Sequence, residues 1–189
     1  TRSFSRTDLC ADAAQGRAAP TFPYIETVML DSLHRPASIA VVGSSGGIGA
    51  ALVRRLADDE SVETIHALSR SGNDTLPGKA THHFIDITDE DSVRRAADAV
   101  AESGPLDVMI TSTGMLHQGT EIAPEKAMRE LSPDALAAVF AAKGIGPAIV
   151  SKYFLPLMSK VEKSVVAALS ARVGRIEDNL LGCWVSYRA

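Results

Sequence analysis

A glycine-rich turn between an apolar segment and a helix-like segment constrains this chain more than any other feature. The turn is Gly43-Ser44-Ser45-Gly46-Gly47-Ile48-Gly49. Residues 38–42 before it form an apolar run typical of a buried parallel strand, and residues 50–56 after it carry apolar side chains at helical spacing. A strand, a glycine turn and a helix in this order predict a phosphate-binding helix N-terminus. No Gly-Lys-Ser/Thr follows the turn, which excludes a Walker-type phosphate loop.

Each residue of the turn has a distinct expected role in holding a dinucleotide. Gly43 permits the sharp turn, Gly47 lets the backbone approach a pyrophosphate, and Gly49 allows tight packing of the helix on the strand. Ser44 and Ser45 can add hydroxyl donors to the backbone N–H groups of the helix start. The turn is therefore predicted to bind a dinucleotide cofactor.

Strand-like and helix-like segments alternate after residue 36. Further strands are predicted at 63–68, 81–85, 106–110 and 163–169, and further helices at 89–101, from 133 to about 143, and at 145–158. This alternation predicts a Rossmann-type, doubly wound parallel α/β sheet in the order 3-2-1-4-5, incomplete at its C-terminal edge. We expect residues 37–189 to form this domain and residues 1–36, which lack a sustained period, to be an N-terminal tail or extension.

Composition and charge argue against several classes of partner. The formal net charge of -4 gives no reason to expect nucleic acid, and we identify no apolar run near the roughly 18 residues needed to span a bilayer. Cys10 and Cys183 lie far apart without a metal-ligand pattern, which favours a cytoplasmic protein. His82 and His83 are adjacent on a predicted strand and point to opposite faces, so we expect ordinary strand residues and no metal site.

The segment after the second strand bears on which dinucleotide is bound. An acid at this position accepts hydrogen bonds from a ribose 2′-hydroxyl, whereas an arginine pairs with a 2′-phosphate. The chain has Ser69-Arg70-Ser71 there and no acid until Asp74. NADP(H) is therefore favoured over NAD(H). The alternative is that Arg70 is only a solvated charge in a loop.

The spacing Gly-x-x-x-Gly-x-Gly resembles that of the short-chain dehydrogenase/reductase family, and the resemblance extends from residue 38 to residue 189. Asp86-Ile87-Thr88-Asp89 is similar to the family's acidic motif, which implies that Asp86 contacts the adenine and that Ile87 packs beside it. Thr111-Ser112-Thr113-Gly114 stands where the family has Asn-Asn-Ala-Gly. The resemblance thus assigns Thr113 and Gly114 to the cofactor site, with hydroxyls replacing the asparagine amide.

Later segments resemble a C-factor-like branch of that family. They are Met115-Leu116-His117, Gly146-Pro147, Phe154-Leu155-Pro156, Ser170-Ala171-Arg172-Val173-Gly174, Asp178-Asn179, Gly182 and Ser186-Tyr187-Arg188-Ala189.

The resemblance also implies the catalytic residues. Tyr187 falls at the position of the family's general acid/base. The family also uses a serine, elsewhere in the site, to hold the substrate carbonyl. Ser170 is the nearest strand-end serine, while the spacing usual in related sequences falls on Arg175. Lys143 stands where the family has an asparagine. The family's lysine, which lowers the pKa of the tyrosine phenol, would lie two residues past Ala189, so we expect a chain ending there to be inactive.

Together these features predict an NAD(P)(H)-dependent oxidoreductase acting on a small-molecule carbonyl or alcohol substrate. We also expect a homo-oligomer, a dimer or a tetramer. The alternative is a dinucleotide-binding protein without catalysis, used for sensing or signalling, which Lys143 and Arg175 would permit.

Overall fold

The computed structural model of the chain describes residue 33 and residues 36–72, 76–117, 122–174 and 183–188. The chain forms two compact units. Over these described residues, the larger unit comprises residue 33, residues 36–72, 76–115 and 141–169, and the smaller one comprises residues 116–117, 122–140, 170–174 and 183–188.

The larger unit contains a five-stranded sheet in which every neighbouring pair is parallel. Its strands are β1 (Ala37–Val42), β2 (Val62–Ser69), β3 (Ala80–Phe84), β4 (Val108–Thr111) and β5 (Val165–Ala168). The order is β3-β2-β1-β4-β5, which confirms the order expected from the sequence. The order reverses between β1 and β4, and ligands bind at such a switch point, outside the carboxyl ends of the strands.

Two strands are shorter than the apolar pattern predicts. The predicted fourth strand begins at Leu106, but that residue forms only an isolated bridge with Met158, and the strand itself begins at Val108. The predicted fifth strand, 163–169, contracts to Val165–Ala168, where partner residues on β4 are available. At β4 the apolar Leu106 therefore precedes the strand, whereas at β5 the polar Lys163 and Ser164 are left out, and Leu169 just past the strand still donates its N–H to the Thr111 carbonyl oxygen at 2.9 Å.

Helices follow the strands as expected. They are α1 (Gly47–Ala57), α2 (Glu90–Ala101) and α4 (Gly146–Phe154) in the larger unit, and α3 (Pro133–Phe140) and α5 (Val185–Arg188) in the smaller one. Asp89 caps α2, because its side chain accepts a hydrogen bond from the backbone N–H of Asp91 at 3.0 Å. Ala141–Ile145 form a π-helical turn directly before α4.

Both faces of the sheet are covered by helices. One face packs on α1 through the buried side chains Ile39, Val41, Val53, Leu56, Ile65 and Ala67. The other face packs on α2 and α4 through Ala40, Val42, Leu68, Val93, Val100, Val150 and Phe154. Helices on both faces explain why β1 reads as an almost continuous apolar run rather than an alternating one.

One helical segment meets the length criterion for a membrane span, although no apolar run near that length was identified in the sequence. The helical segment Pro133–Leu157 is long and apolar enough to cross a membrane by length and composition. These criteria are weak evidence by themselves, because core helices also satisfy them. Val150 and Phe154 in this segment are buried in the core of the larger unit, but only 22% of the apolar window is buried.

Most of the predicted N-terminal tail, 1–36, lies outside the described residues, as do Arg175, Asp178-Asn179, Gly182 and Ala189. Leu33 is described and packs, partly buried, against the core on the α1 side of the sheet.

Candidate active site

The glycine turn is hydrogen-bonded into the sheet. The backbone N–H groups of Gly43 and Ser44 both donate to the carbonyl oxygen of Leu68 on β2, at 2.8 and 3.1 Å. The Ser112 hydroxyl, just past β4, lies 2.9 Å from the carbonyl oxygen of Val42 and 3.5 Å from that of Gly43, and it can donate to either. The turn is therefore fixed to β2 and β4 at the carboxyl edge of the sheet.

Two of the three fingerprint glycines are required by packing within the protein. Gly43 has φ of 91°, a left-handed conformation that favours glycine. A Cβ added at Gly49 would lie 2.1 Å from the carbonyl oxygen of Gly43. A Cβ added at Gly47 would meet no atom within 4 Å, so the space beside Gly47 is open to a ligand.

The N-terminus of α1 is suited to an anion. Gly46 is its N-cap and makes no side-chain cap hydrogen bond, and the first turn contains no acidic residue. The first N–H groups of a helix have no partner inside it, and the helix dipole adds partial positive charge there. This end of α1 can therefore hold a phosphate.

A cleft of about 230 Å³ lies beside the turn, at the ends of β1, β2, β3 and β4. Seven residues assigned from the sequence line it: Gly43, Ser45, Arg70, Asp86, Ile87, Thr113 and Gly114. Seven further lining residues were missed: Gly46, Ser69, Ile85, Thr88, Ser112, Met115 and Ala142. Most of these are direct neighbours of assigned residues, so adjacency was the available signal.

The remaining assigned cofactor residues lie elsewhere on the turn. Ser44 is buried, so its hydroxyl does not line the cleft as expected. Gly47 and Gly49 lie in the first turn of α1, outside the cleft lining. Ile48 is also outside the lining, and 62% of its surface is exposed.

The lining of the cleft includes one cation and one anion. Arg70 is exposed directly after β2. Asp86 accepts hydrogen bonds on Oδ1 from the hydroxyl and the backbone N–H of Thr88, at 2.7 and 2.9 Å. Hydroxyl donation by Thr88 is the main cause that lowers the pKa of Asp86; burial opposes it, and the Thr88 N–H and the Arg70 charge also lower it. Asp86 is therefore an ionised acceptor.

The lining of the cleft also includes an unsatisfied hydroxyl. Thr113 Oγ1 is buried and has no hydrogen-bond partner among the described residues. A buried hydroxyl without a partner costs free energy, which a ligand group could recover. This atom therefore points to a polar group of a bound ligand.

Ile87 is held by the helix behind it. A Cβ added at Gly146 would lie 2.8 Å from Ile87 Cδ1, so α4 can approach only because residue 146 has no side chain. Lys143, in the π-helical turn before α4, is partly buried, and this burial lowers its pKa.

The assigned catalytic residues belong to the smaller unit. Ser170 is exposed two residues after β5. Tyr187 is half-buried on α5, and its ring stands edge-on to Trp184 with centroids 6.1 Å apart. The short 3-10 turn Arg172–Gly174 packs against α5.

The two strand histidines make different contacts, as their opposite faces predict. His83 Nε2 lies 3.0 Å from Nδ1 of the buried His66, and His82 Nε2 lies 3.3 Å from the Ser69 hydroxyl. Burial, with a smaller contribution from His83, lowers the pKa of His66 to about 4. Over the described residues, no three His, Cys, Asp or Glu side chains are grouped as a metal site would require.

Comparison with known proteins places this geometry in context. The family model described as short chain dehydrogenase matches residues 37–187. Cis-4-hydroxycyclohexanecarboxylate dehydrogenase of Sinomonas cyclohexanicum is 30% identical over 143 residues, which are 72% of this chain and 55% of that protein. The chain thus spans about half the length of this curated relative.

Solved structures share the fold. An NADPH-bound carbonyl reductase from chicken fatty liver superposes with a TM-score of 0.69 at 22% identity, over 82% of this chain and 65% of that one. An NADH-dependent reductase complexed with NAD gives a TM-score of 0.61 at 18% identity, over 75% and 62%.

Proposed function

This chain belongs to the short chain dehydrogenase family, and from that premise we propose that it is part of an oxidoreductase using a nicotinamide dinucleotide. The reaction would interconvert a small-molecule carbonyl compound and its alcohol. The observation that carries this proposal is the single cleft in which the glycine turn, Arg70 and Asp86 meet.

The cleft and the adjoining start of α1 fit such a cofactor in three ways. The space beside Gly47 and the uncapped N-terminus of α1 suit the pyrophosphate. The ionised Asp86 can accept a hydrogen bond from the adenine amino group. The unpaired Thr113 hydroxyl, which also lines the cleft, can form a hydrogen bond with a polar group of the cofactor. The volume, about 230 Å³, is below the roughly 300–1,000 Å³ of typical ligand pockets, so the cleft encloses only part of a dinucleotide.

The bound nicotinamide would supply or accept the hydride, which side chains alone cannot do. In the proposed reduction, Tyr187 donates its phenolic proton to the carbonyl oxygen and takes it back in the oxidation. Ser170 is proposed to hold that oxygen by donating a hydrogen bond. Both roles come from the family resemblance of their sequence positions.

We further propose that NADP(H) is preferred to NAD(H). Arg70 lines the cleft and is exposed, so its guanidinium is available to a 2′-phosphate. Asp86, the one acid lining the described cleft, is engaged by Thr88. Solved relatives include both an NADPH-bound and an NAD-bound protein, so the fold alone does not select one.

Dinucleotide titration tests this preference. NADPH should bind more tightly than NADH, and Arg70→Asp should remove or reverse the difference. Arg54→Asp is the matched control, because Arg54 is also exposed but lies on α1 outside the cleft, and it makes the same change in net charge. Equal affinity of the unmodified protein for NADPH and NADH would refute the preference.

Finer assignments complete the proposal. We place the chain in the C-factor-like branch because of segments such as 170–174 and 186–189, and in the cytoplasm because of its composition. Assembly as a dimer or tetramer is proposed by analogy with the family. The curated relative and the carbonyl reductase above do not favour a non-catalytic sensing or signalling role.

A further inference from the structure

A buried carboxylate lies beside the start of the helix that carries Tyr187. Glu125 is 5% exposed and belongs to the segment before α3. Its Oε1 accepts a hydrogen bond from the Ser186 hydroxyl, and its Oε2 accepts one from the Ser186 backbone N–H at 3.2 Å. Both carboxylate oxygens are therefore directed at the residue immediately before Tyr187.

The backbone of the same residue holds the preceding turn. The Glu125 carbonyl oxygen accepts a hydrogen bond from the Trp184 N–H at 2.7 Å. One residue along, the Lys126 carbonyl oxygen accepts one from the Cys183 thiol at 3.2 Å. Residues 125 and 126 thus contact Cys183, Trp184 and Ser186, which lie 57 to 61 residues further along the chain.

The segment they hold is strained. Cys183 and Trp184 have φ of 60° and 56°, in the left-handed region that side-chain-bearing residues rarely adopt. Such conformations persist only where surrounding contacts impose them, and they cluster at functional sites. Here the contacts come from Glu125 and Lys126, and the strained pair sets the direction in which α5 leaves the turn.

We propose that Glu125 is a positioning residue for Tyr187: its buried carboxylate fixes the first turn of α5 and so the direction of the phenol. This inference rests on the proposed function, in which Tyr187 moves the proton. Glu125 remains ionised in this role: burial raises its pKa, but the hydrogen bonds from Ser186 and from nearby backbone N–H groups outweigh burial and lower it. An ionised acceptor makes stronger hydrogen bonds than a neutral one, which suits a fixed helix start.

Steady-state kinetics and dinucleotide binding, measured on the longest form of the protein that contains this sequence, together test the proposal. Glu125→Ala should lower kcat by about 10- to 100-fold, because a displacement near 1 Å costs up to that much in rate. Affinity for NADPH should change by less than about twofold, since Glu125 does not line the dinucleotide cleft. Glu125→Gln should restore part of kcat, because its amide oxygen still accepts one hydrogen bond. Asp134→Ala, which removes an exposed carboxylate in the first turn of α3, should leave kcat unchanged.

Trp184 supplies an independent signal. It is the chain's one tryptophan and stands edge-on to Tyr187. Glu125→Ala should therefore shift the tryptophan emission, and Asp134→Ala should not. If Glu125→Ala fails to fold, Ser186→Ala removes the hydroxyl donor alone and should lower kcat several-fold with the same spectral shift.

The outcomes separate the two proposals. Turnover that survives Tyr187→Phe would overturn the proposed function. Turnover that is lost in Tyr187→Phe but unchanged in folded Glu125→Ala, or in Ser186→Ala where Glu125→Ala does not fold, would overturn the positioning role alone.

Discussion

The two glycines of the first turn of α1 allow a matched test of protein packing against ligand approach. In Gly49→Ala, the new Cβ would lie 2.1 Å from the Gly43 carbonyl oxygen, 2.8 Å from the Gly43 carbonyl carbon and 2.8 Å from Ser112 Oγ. Two of these three atoms are backbone atoms of a turn bonded to the sheet, so the clash forces α1 away from β1.

The expected magnitudes have opposite signs. Overpacking costs about 1–3 kcal/mol, and more where the backbone must shift, so Gly49→Ala should lower the free energy of unfolding by at least this amount. In Gly47→Ala the new Cβ meets no protein atom, and alanine is favoured over glycine in a helix by roughly 0.5–1 kcal/mol. The two variants should therefore differ by about 2–4 kcal/mol.

Urea unfolding followed by circular dichroism measures the difference, and dinucleotide titration supplies the second comparison. Gly47→Ala should keep its fold but lose at least about tenfold in affinity, because the pyrophosphate and the new methyl group would compete for the same space. Equal unfolding midpoints for the two variants would refute the packing argument. Full affinity in Gly47→Ala would show that no phosphate lies against that position.

Three further results are expected. Because burial lowers the pKa of His66 to about 4, the contribution of neutral His66 to the free energy of unfolding should be fully present above about pH 6.5. Toward pH 4 this contribution should fall by up to about 1.4 kcal/mol per pH unit. The free energies of unfolding measured in urea at pH 7 and pH 5 should therefore differ by about 2 kcal/mol less in His66→Gln than in the unmodified protein. Thr113→Val removes an unpaired hydroxyl, so it should maintain or raise the melting temperature while it weakens NADPH binding; a lower melting temperature with unchanged affinity would contradict this. Gly146→Ala should push Ile87 toward the cleft and weaken NADPH binding several-fold, as titration would show; unchanged affinity would mean that Ile87 does not contact the cofactor.

Local sequence patterns predicted the sheet and one side of the cleft. The strand order followed from alternating segments, the turn and Arg70 followed from what comes directly after each strand, and Asp86 followed from the family resemblance. These features are local because the carboxyl ends of parallel strands lie at one edge of the sheet. Ser44 was misjudged for an equally physical reason: a residue in a turn can point inward, and hydroxyl chemistry alone does not reveal this.

Contacts between distant segments were not predictable in this way. Glu125 and Ser186 are 61 residues apart, and nothing in the sequence around either indicates a buried pair. The left-handed Cys183 and Trp184 are likewise imposed by contacts, since neither residue type favours that conformation. His66 and His83 meet only because β2 and β3 are paired in one register.

The bonding of the glycine turn to β2 and β4 has a consequence for redesigning cofactor choice. Because its backbone is held by neighbouring strands, the turn is a rigid element whose amides should exchange with solvent as slowly as those of the central strands. Arg70, by contrast, is exposed at a strand end, so its replacement leaves those bonds intact. The preference for one dinucleotide over another can therefore be changed by substitutions at the carboxyl edge of the sheet, without altering the turn that binds the phosphates.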